Sequence, residues 1–109
     1  MKKIFASLVA ATCFTSGVAY AGSSAGTVGG IMPHVGDIVI FTAGTHQSKP
    51  TCSASAGDDW ALSLSTQTGK AMYAALLLAK AQGKTVTVVG DNVCSAWADR
   101  EAPRYILVN

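Results

Sequence analysis

The sequence predicts a mainly β domain with a single α-helix between its third and fourth strands. Three observations support this prediction. Alternating or β-branched apolar runs indicate strands, one alanine-rich segment has the length and spacing of a helix, and two cysteines flank the central strand–helix–strand unit. That unit extends from Cys52 to Cys94, with a strand over 60–66, a helix over roughly 68–82 and a strand over 84–90.

Residues 1–21 have the organisation of a secretory signal peptide. Two lysines precede an uncharged apolar segment over 4–12, and Ala19 and Ala21 supply the small residues required at positions −3 and −1 of a signal-peptidase site. We therefore predict cleavage after Ala21 and export to the periplasm or the medium. A lipoprotein signal ending at Cys13 is the alternative, although the residues before that cysteine fit a lipobox poorly.

The remaining 88 residues (109 minus 21), Gly22 to Asn109, are enough for one domain. Two of the eight basic residues lie in the signal peptide, so six basic residues face six acidic ones and the mature chain is formally neutral. A neutral domain without a basic patch argues against nucleic acid as a partner. No later apolar run has the length of a membrane span.

Cys52 and Cys94 are the two cysteines of the mature chain, and they allow one pairing. Export to an oxidising compartment favours a disulfide between them. A reactive thiol or a metal ligand is the alternative, but neither cysteine has a second one at ligand spacing.

The N-terminal half contains two strand patterns. Residues 22–26 are small and polar and predict a flexible lead into the domain, and residues 27–32 form a strand pattern in which Gly29–Gly30 predicts a bulge or sharp bend. The β-branched run over 38–42 predicts the next strand. Residues 43–50 predict an exposed loop.

The helix has an uneven distribution of side chains around its axis. Its cap is expected at Ser65, Thr66 or Thr68, and Gly83 lies where a left-handed residue ends a helix. We predict that the core side comprises Ala71, Met72, Ala75, Leu76, Leu78 and Ala79. The opposite side comprises Lys70, Tyr73, Leu77, Lys80 and Lys84. Tyr73 and Leu77 on this side either border the core or are simply exposed, as lone apolar residues often are, or they form an apolar surface for a partner.

A last strand over 104–109 completes the order of five strands with a helix between the third and the fourth. This is the order of an OB-fold, a five-stranded Greek-key barrel. An α+β sandwich with the same elements is the alternative.

The stretch from Cys52 to Asn109 also carries a family resemblance. Cys52, the strand over 60–66, the helix sequence over 71–75 and Gly83–Lys84 resemble small secreted bacterial OB-fold proteins, the group that includes the B subunit of subtilase cytotoxin. The resemblance implies an OB-fold that assembles as a ring and binds glycans on its outer surface. The glycine-rich N-terminal segment departs from that group, and no glycan-contacting residue is carried over.

No residue pattern indicates catalysis, a metal or a cofactor. His34 and His46 are expected in surface loops, and the acidic residues Asp58–Asp59, Asp99 and Glu101 are expected to be solvated. The serines lack the glycine-flanked nucleophile motif of hydrolases. Among the aromatic residues, Trp60 is expected in the core. Trp97 is expected to cover the disulfide or to stack on a sugar.

These observations predict an exported, non-enzymatic binding or assembly module. A glycan- or receptor-binding subunit that forms a homo-oligomer is the first hypothesis, and Tyr73 and Leu77 would contribute to its partner surface. A monomeric periplasmic ligand-binding or stress protein is the second. A small hydrolase or metal protein using His34 or His46 is the third.

Overall fold

The computed structural model describes residues 21–109. Residues 1–20, which hold almost all of the predicted signal peptide and the alternative lipoprotein cysteine Cys13, lie outside the described residues.

The described chain forms five strands, one α-helix and one short 3-10 helix. In chain order they are β1 (Ser23–His34), β2 (Ile38–Ala43), the 3-10 helix (Thr51–Ser53), β3 (Trp60–Ser63), α1 (Gln67–Gln82), β4 (Thr85–Gly90) and β5 (Pro103–Val108). The strands form one antiparallel sheet in the order β3-β2-β1-β4-β5. The prediction of a mainly β domain with a helix between the third and fourth strands is therefore confirmed.

β1 belongs to both halves of the sheet. Its first part, Ser23–Thr27, pairs with β4, and its second part pairs with β2 from Val28 onward. The register with β2 shifts between Val28 and Ile31, so the irregularity predicted at Gly29–Gly30 is confirmed. The prediction of a flexible lead over residues 22–26 is wrong, because β4 supplies backbone hydrogen-bonding partners that local composition does not reveal.

The two edge strands of the sheet approach each other without forming a ladder. Trp60 and Glu101 form an isolated parallel bridge, in which the Ala61 amide donates to the Glu101 carbonyl at 3.1 Å. The sheet is not closed into a continuous barrel between β3 and β5. This gap positions the candidate site described below.

Two apolar clusters bury opposite faces of β2. The larger one lies under α1 and contains Val28, Val39, Phe41, Ala43, Trp60, Leu62, Leu76, Ala79, Val86 and Val88. The smaller one consists of Ile38, Ile40 and Ala61 and is covered by Ala96 and Trp97. Because side chains alternate along a strand, β2 presents residues to both clusters, which accounts for its continuous β-branched run.

The helix is rotated relative to the predicted arrangement. Tyr73, predicted on the outer side, packs with Met72 against the larger cluster around buried Leu76. Ala71 and Leu78, predicted in the core, are exposed, Leu78 to 53%. Alanine and leucine residues lie on most sides of the helix, so their spacing does not determine which side faces the sheet. The position of the sheet determines the rotation of the helix about its axis instead.

Both ends of α1 are capped as expected. Thr66 is the N-cap, and its hydroxyl accepts a hydrogen bond from the Gly69 amide at 3.0 Å. Gly83 ends the helix in the left-handed conformation, with φ of 64°. Glycine suits this position because a side chain there would be strained.

Replacing Gly69 by alanine should destabilise the protein, although alanine is the better helix former. A Cβ at this position would lie 1.7 Å from the Ser63 carbonyl oxygen, which belongs to the backbone of β3. We expect the overlap to outweigh the propensity gain of about 1 kcal/mol and to lower the free energy of unfolding by about 1–3 kcal/mol. Urea unfolding followed by tryptophan fluorescence measures this change. Lys70→Ala, at the exposed neighbouring position, is the matched control and should have little effect.

Candidate functional site

A groove of about 290 Å³ lies where the edge strands β3 and β5 approach without pairing. Residues Ala61–Ser63 line one wall, and Pro103 and Arg104 line the other. The first turns of α1 and the segment after β4 complete the lining with Thr66, Thr68, Gly69, Met72, Asp91, Ser95, Ala96 and Ala102. The groove is therefore assembled from four segments that are separate in the sequence.

The lining of this groove combines apolar carbon with several hydroxyl groups. Ser63, Thr66, Thr68 and Ser95 bring hydroxyls, while Met72 and neighbouring alanines bring apolar surface. A hydroxyl can both donate and accept a hydrogen bond. The groove can therefore accommodate a ligand that has polar edges and apolar faces.

Asp91 and Arg104 contribute one charge of each sign to the groove. Their closest atoms, Asp91 Oδ1 and Arg104 Nη1, are 3.8 Å apart, and the Arg104 side chain is 71% exposed. An exposed pair at this distance is weakly coupled. Both charged groups can therefore turn toward a ligand at small cost.

A second set of polar groups is buried behind the bridge between Trp60 of β3 and Glu101 in the loop before β5. The Glu101 side chain has 0% exposure, and its carboxylate accepts three hydrogen bonds. The donors are the Gly22 amide at 3.0 Å, His46 Nε2 at 2.8 Å and the Asn92 amide at 2.9 Å. These contacts join the start of β1, the loop after β2 and the loop after β4.

The His46 ring contacts protein groups at both of its nitrogens and along one face. Its ring stacks on Trp60 with centroids 3.8 Å apart, and its Nδ1 is 3.4 Å from the Asp59 carbonyl oxygen. Its own amide donates to Asp58 Oδ1 at 3.0 Å. Trp60 in turn donates its indole N–H to Ser24 Oγ at 3.0 Å. Burial and internal partners at both ring nitrogens indicate a structural histidine.

The predictions that His46 and Glu101 are solvated loop residues are wrong. His46 is 5% exposed and Glu101 is completely buried, because each satisfies the other across 55 positions of sequence. The local sequence over residues 99–103 does not indicate that Glu101 is buried while Asp99 is exposed. The glycines at positions 22 and 90 are an indirect signal that the Glu101 carboxylate is enclosed there, because a Cβ at these positions would lie 2.0 and 1.9 Å from its oxygens.

The other acidic residues, Asp58, Asp59 and Asp99, form hydrogen bonds and ion pairs that stabilise the nearby loops. Arg100 donates to Asp59 Oδ2 through Nε at 3.3 Å and Nη2 at 3.2 Å, and it also donates to Asp99. The hydrogen bond to Asp99 and the charges of Asp99 and Asp59 raise the pKa of Arg100 above its ordinary value. Asp58 and Asp59 therefore stabilise the loop before β3 rather than forming a pair directed into the groove.

Trp97 and His34 meet on the smaller cluster. Their ring centroids are 5.0 Å apart, and Trp97 packs over Ile38 and Ile40. Both rings are half-buried. Trp97 thus covers the face of β2 that carries Ile38 and Ile40, and it retains some accessible ring surface.

The residues predicted for a partner surface follow one another along one side of α1 but differ in exposure. Tyr73 is half-buried against the core, and Leu77 is 44% exposed. Lys70 is exposed, while Lys80 donates to the Gly29 carbonyl at 2.6 Å and so ties the helix to the bulge in β1.

The disulfide predicted between Cys52 and Cys94 is present, with Cα atoms 6.2 Å apart. It joins the 3-10 helix to the loop between β4 and β5, the loop that carries Trp97 and Glu101. The bond is compatible with an oxidising, exported location.

Within residues 21–109, no group of three or more histidine, cysteine or acidic side chains could hold a metal ion. In the same part of the chain, no helix has the length and apolar character needed to cross a membrane. Comparisons of the chain with protein-family models, curated proteins and solved structures find no match.

Proposed function

We propose that this protein is an exported, OB-fold-like binding module whose groove between β3 and β5 holds a terminal sugar of a glycan. The groove carries this proposal. Four hydroxyl-bearing side chains, one acid and one base surround an apolar floor there, in a volume of about 290 Å³. A sugar ring offers hydroxyls at its edge and carbon–hydrogen groups on its faces, and this lining complements both.

The strand connections support the OB-fold part of the proposal. β1 is shared between β2 and β4, the helix lies between β3 and β4, and Trp60 of β3 forms a parallel bridge with Glu101 in the loop just before β5. An OB-fold is a partly open five-stranded Greek-key barrel, and many OB-folds bind oligosaccharides. The resemblance of residues 52–109 to small secreted OB-fold proteins points in the same direction.

The test is a glycan array probed with the mature protein, followed by calorimetric titration of the best glycan. Arg104→Gln and Asp91→Asn each remove a charge without much change in size, and each should weaken binding about tenfold because hydrogen bonds to charged groups are the stronger ones. Thr45→Val is the matched control, since Thr45 lines a second hollow of about 280 Å³ that does not include the groove residues.

Two outcomes would contradict the assignment. One is an array without signal. The other is a glycan whose affinity is unchanged by both groove variants but falls in Trp97→Leu, which would move the binding surface to the ring pair Trp97–His34.

Assembly as a homo-oligomer stays a prediction. Single sugar sites bind weakly, and several copies of a site on one particle multiply the avidity for a multivalent surface. Two surfaces deserve testing: Leu77 and Leu78 on α1, and Tyr105 and Leu107 on β5, all of them exposed. Light scattering of the mature protein measures its oligomeric state. A strict monomer would favour the alternative of a monomeric periplasmic ligand-binding or stress protein.

The alternative of a hydrolase or metal protein receives less support from the site. His46 has internal partners at both ring nitrogens, and His34 lies against Trp97 and Met32. Full retention of any detected activity in the variant His34→Gln/His46→Gln would remove that alternative.

A further inference from the structure

The buried carboxylate of Glu101 is bound by the nitrogen atom of Gly22. That nitrogen is 3.0 Å from Glu101 Oε2, and it is also the atom that cleavage after Ala21 would convert from a peptide amide into an amino group. Two other donors, His46 Nε2 and the Asn92 amide, complete the carboxylate's partners.

The local structure brings the Gly22 nitrogen to the carboxylate and leaves no room for a side chain. A Cβ at residue 22 would lie 2.0 Å from Glu101 Oε1 and 2.5 Å from His46 Nε2. The Gly22 carbonyl accepts a hydrogen bond from the Gly90 amide at 2.7 Å. Residue 22 is therefore buried and held from both sides, while Ala21, which precedes it, is partly exposed.

We propose that Glu101 is an internal binding site for the α-amino group of Gly22 that signal-peptide removal creates. Hydrolysis adds one water across the Ala21–Gly22 peptide bond. The carboxylate departs with Ala21, and the released amine of Gly22 takes up a proton to become an ammonium. An ammonium–carboxylate hydrogen bond then replaces the neutral amide–carboxylate bond.

The charge of the new amino terminus matters because Glu101 has no contact with solvent. A charge-assisted hydrogen bond is roughly twice as strong as a neutral one, and a buried charge is costly unless it is paired. Removal of the signal peptide thus strengthens the contact that ties the start of β1 to the loops carrying His46, Asn92 and Glu101. This inference requires cleavage after Ala21, and it is independent of glycan binding.

The experiment compares two mature chains that differ by one residue and have equal formal charge. One begins at Gly22 and the other at Ala21, each released from a fusion partner that leaves no extra residue. In the second chain the ammonium is displaced by one residue, and Gly22 again has an amide nitrogen. We expect the chain beginning at Gly22 to have an about fivefold larger folding equilibrium constant and a melting temperature about 4–8 °C higher.

Reactivity of the amino terminus is the second measurement. A limiting acylating reagent should modify the Gly22 amine roughly tenfold more slowly than the Ala21 amine, because the carboxylate holds the former protonated and buried. In Glu101→Gln the two chains should become equal in melting temperature, and the rate comparison in the unaltered sequence stands even if that variant folds poorly.

Three results would overturn the proposal. The first is equal melting temperatures for the two chains. The second is equal acylation rates of their amino termini. The third is a mature protein, purified after export, whose mass places the first residue anywhere other than Gly22. Failure of the glycan array would leave all three measurements unaffected, so the two proposals fail separately.

Discussion

Replacement of Glu101 by alanine is expected to lower the free energy of unfolding by about 3–5 kcal/mol, because each buried donor left without a partner costs about 1–3 kcal/mol. The substitution leaves three buried donors, those of Gly22, His46 and Asn92, without their common acceptor. One substitution removes all three contacts, because Glu101 connects three segments of the chain. Urea unfolding of the oxidised mature protein measures the effect.

The variant Glu101→Gln separates the charge of residue 101 from its size, and a variant of Asp99 serves as its control. Glu101→Gln keeps the size of the side chain and one acceptor oxygen, so we expect a loss smaller than that of Glu101→Ala. Asp99→Ala is the control for the neighbouring loop, since the Asp99 side chain is 51% exposed and pairs with Arg100 at the surface. It should cost less than about 1 kcal/mol. A loss for Glu101→Ala no greater than that of the control would contradict the assigned role.

Removal of the disulfide is expected to lower the free energy of unfolding by about 4 kcal/mol in the chain-entropy model, for the double variant Cys52→Ser/Cys94→Ser. The bond closes a loop with a sequence separation of 42. Domains of this size are stable by only about 5–15 kcal/mol in total, so the loss should be a large share of that stability.

The wild-type protein under reducing conditions is the matched comparison for this variant. The reduced wild-type protein should unfold at a urea concentration similar to that of the double variant, because both lack the disulfide. The reduced protein still has its native cysteine side chains. Local hydrogen exchange should also become faster in the loop over residues 91–102, which the disulfide tethers to the 3-10 helix. A urea midpoint that reduction leaves unchanged would contradict the prediction.

The secondary structure was largely predictable because its determinants are local. The β-branched run of β2 and the valines of β4 indicate strands by themselves, and Thr66 and Gly83 cap α1 through contacts within one turn. Boundaries were less predictable: β3 ends at Ser63, where the alternating pattern continues to Thr66. The Ser63 carbonyl oxygen lies against Gly69 in the first turns of α1, and that contact is tertiary.

The candidate groove could not be predicted from the sequence. Asp91, Arg104 and Thr68 have no spacing that marks them as neighbours, and they meet because two sheet edges approach beside the first turns of the helix. The rotation of α1 had the same origin. Its many small apolar residues allow several orientations, and packing against the sheet selects the one that half-buries Tyr73 and exposes Leu78.

Local residue patterns were enough to predict the elements that depend on neighbours in the chain: most strands, the capped helix and the cysteine pair, since residues 22–109 hold two cysteines that allow one pairing. The role of Glu101 depends on contacts between distant segments of the fold. Its partners His46 and Gly22 are 55 and 79 positions away, and burial turns an ordinary loop acid into a shared acceptor. The physical reason is that hydrogen bonds buried away from water depend on which segments meet in space, and local residue patterns carry little information about such meetings.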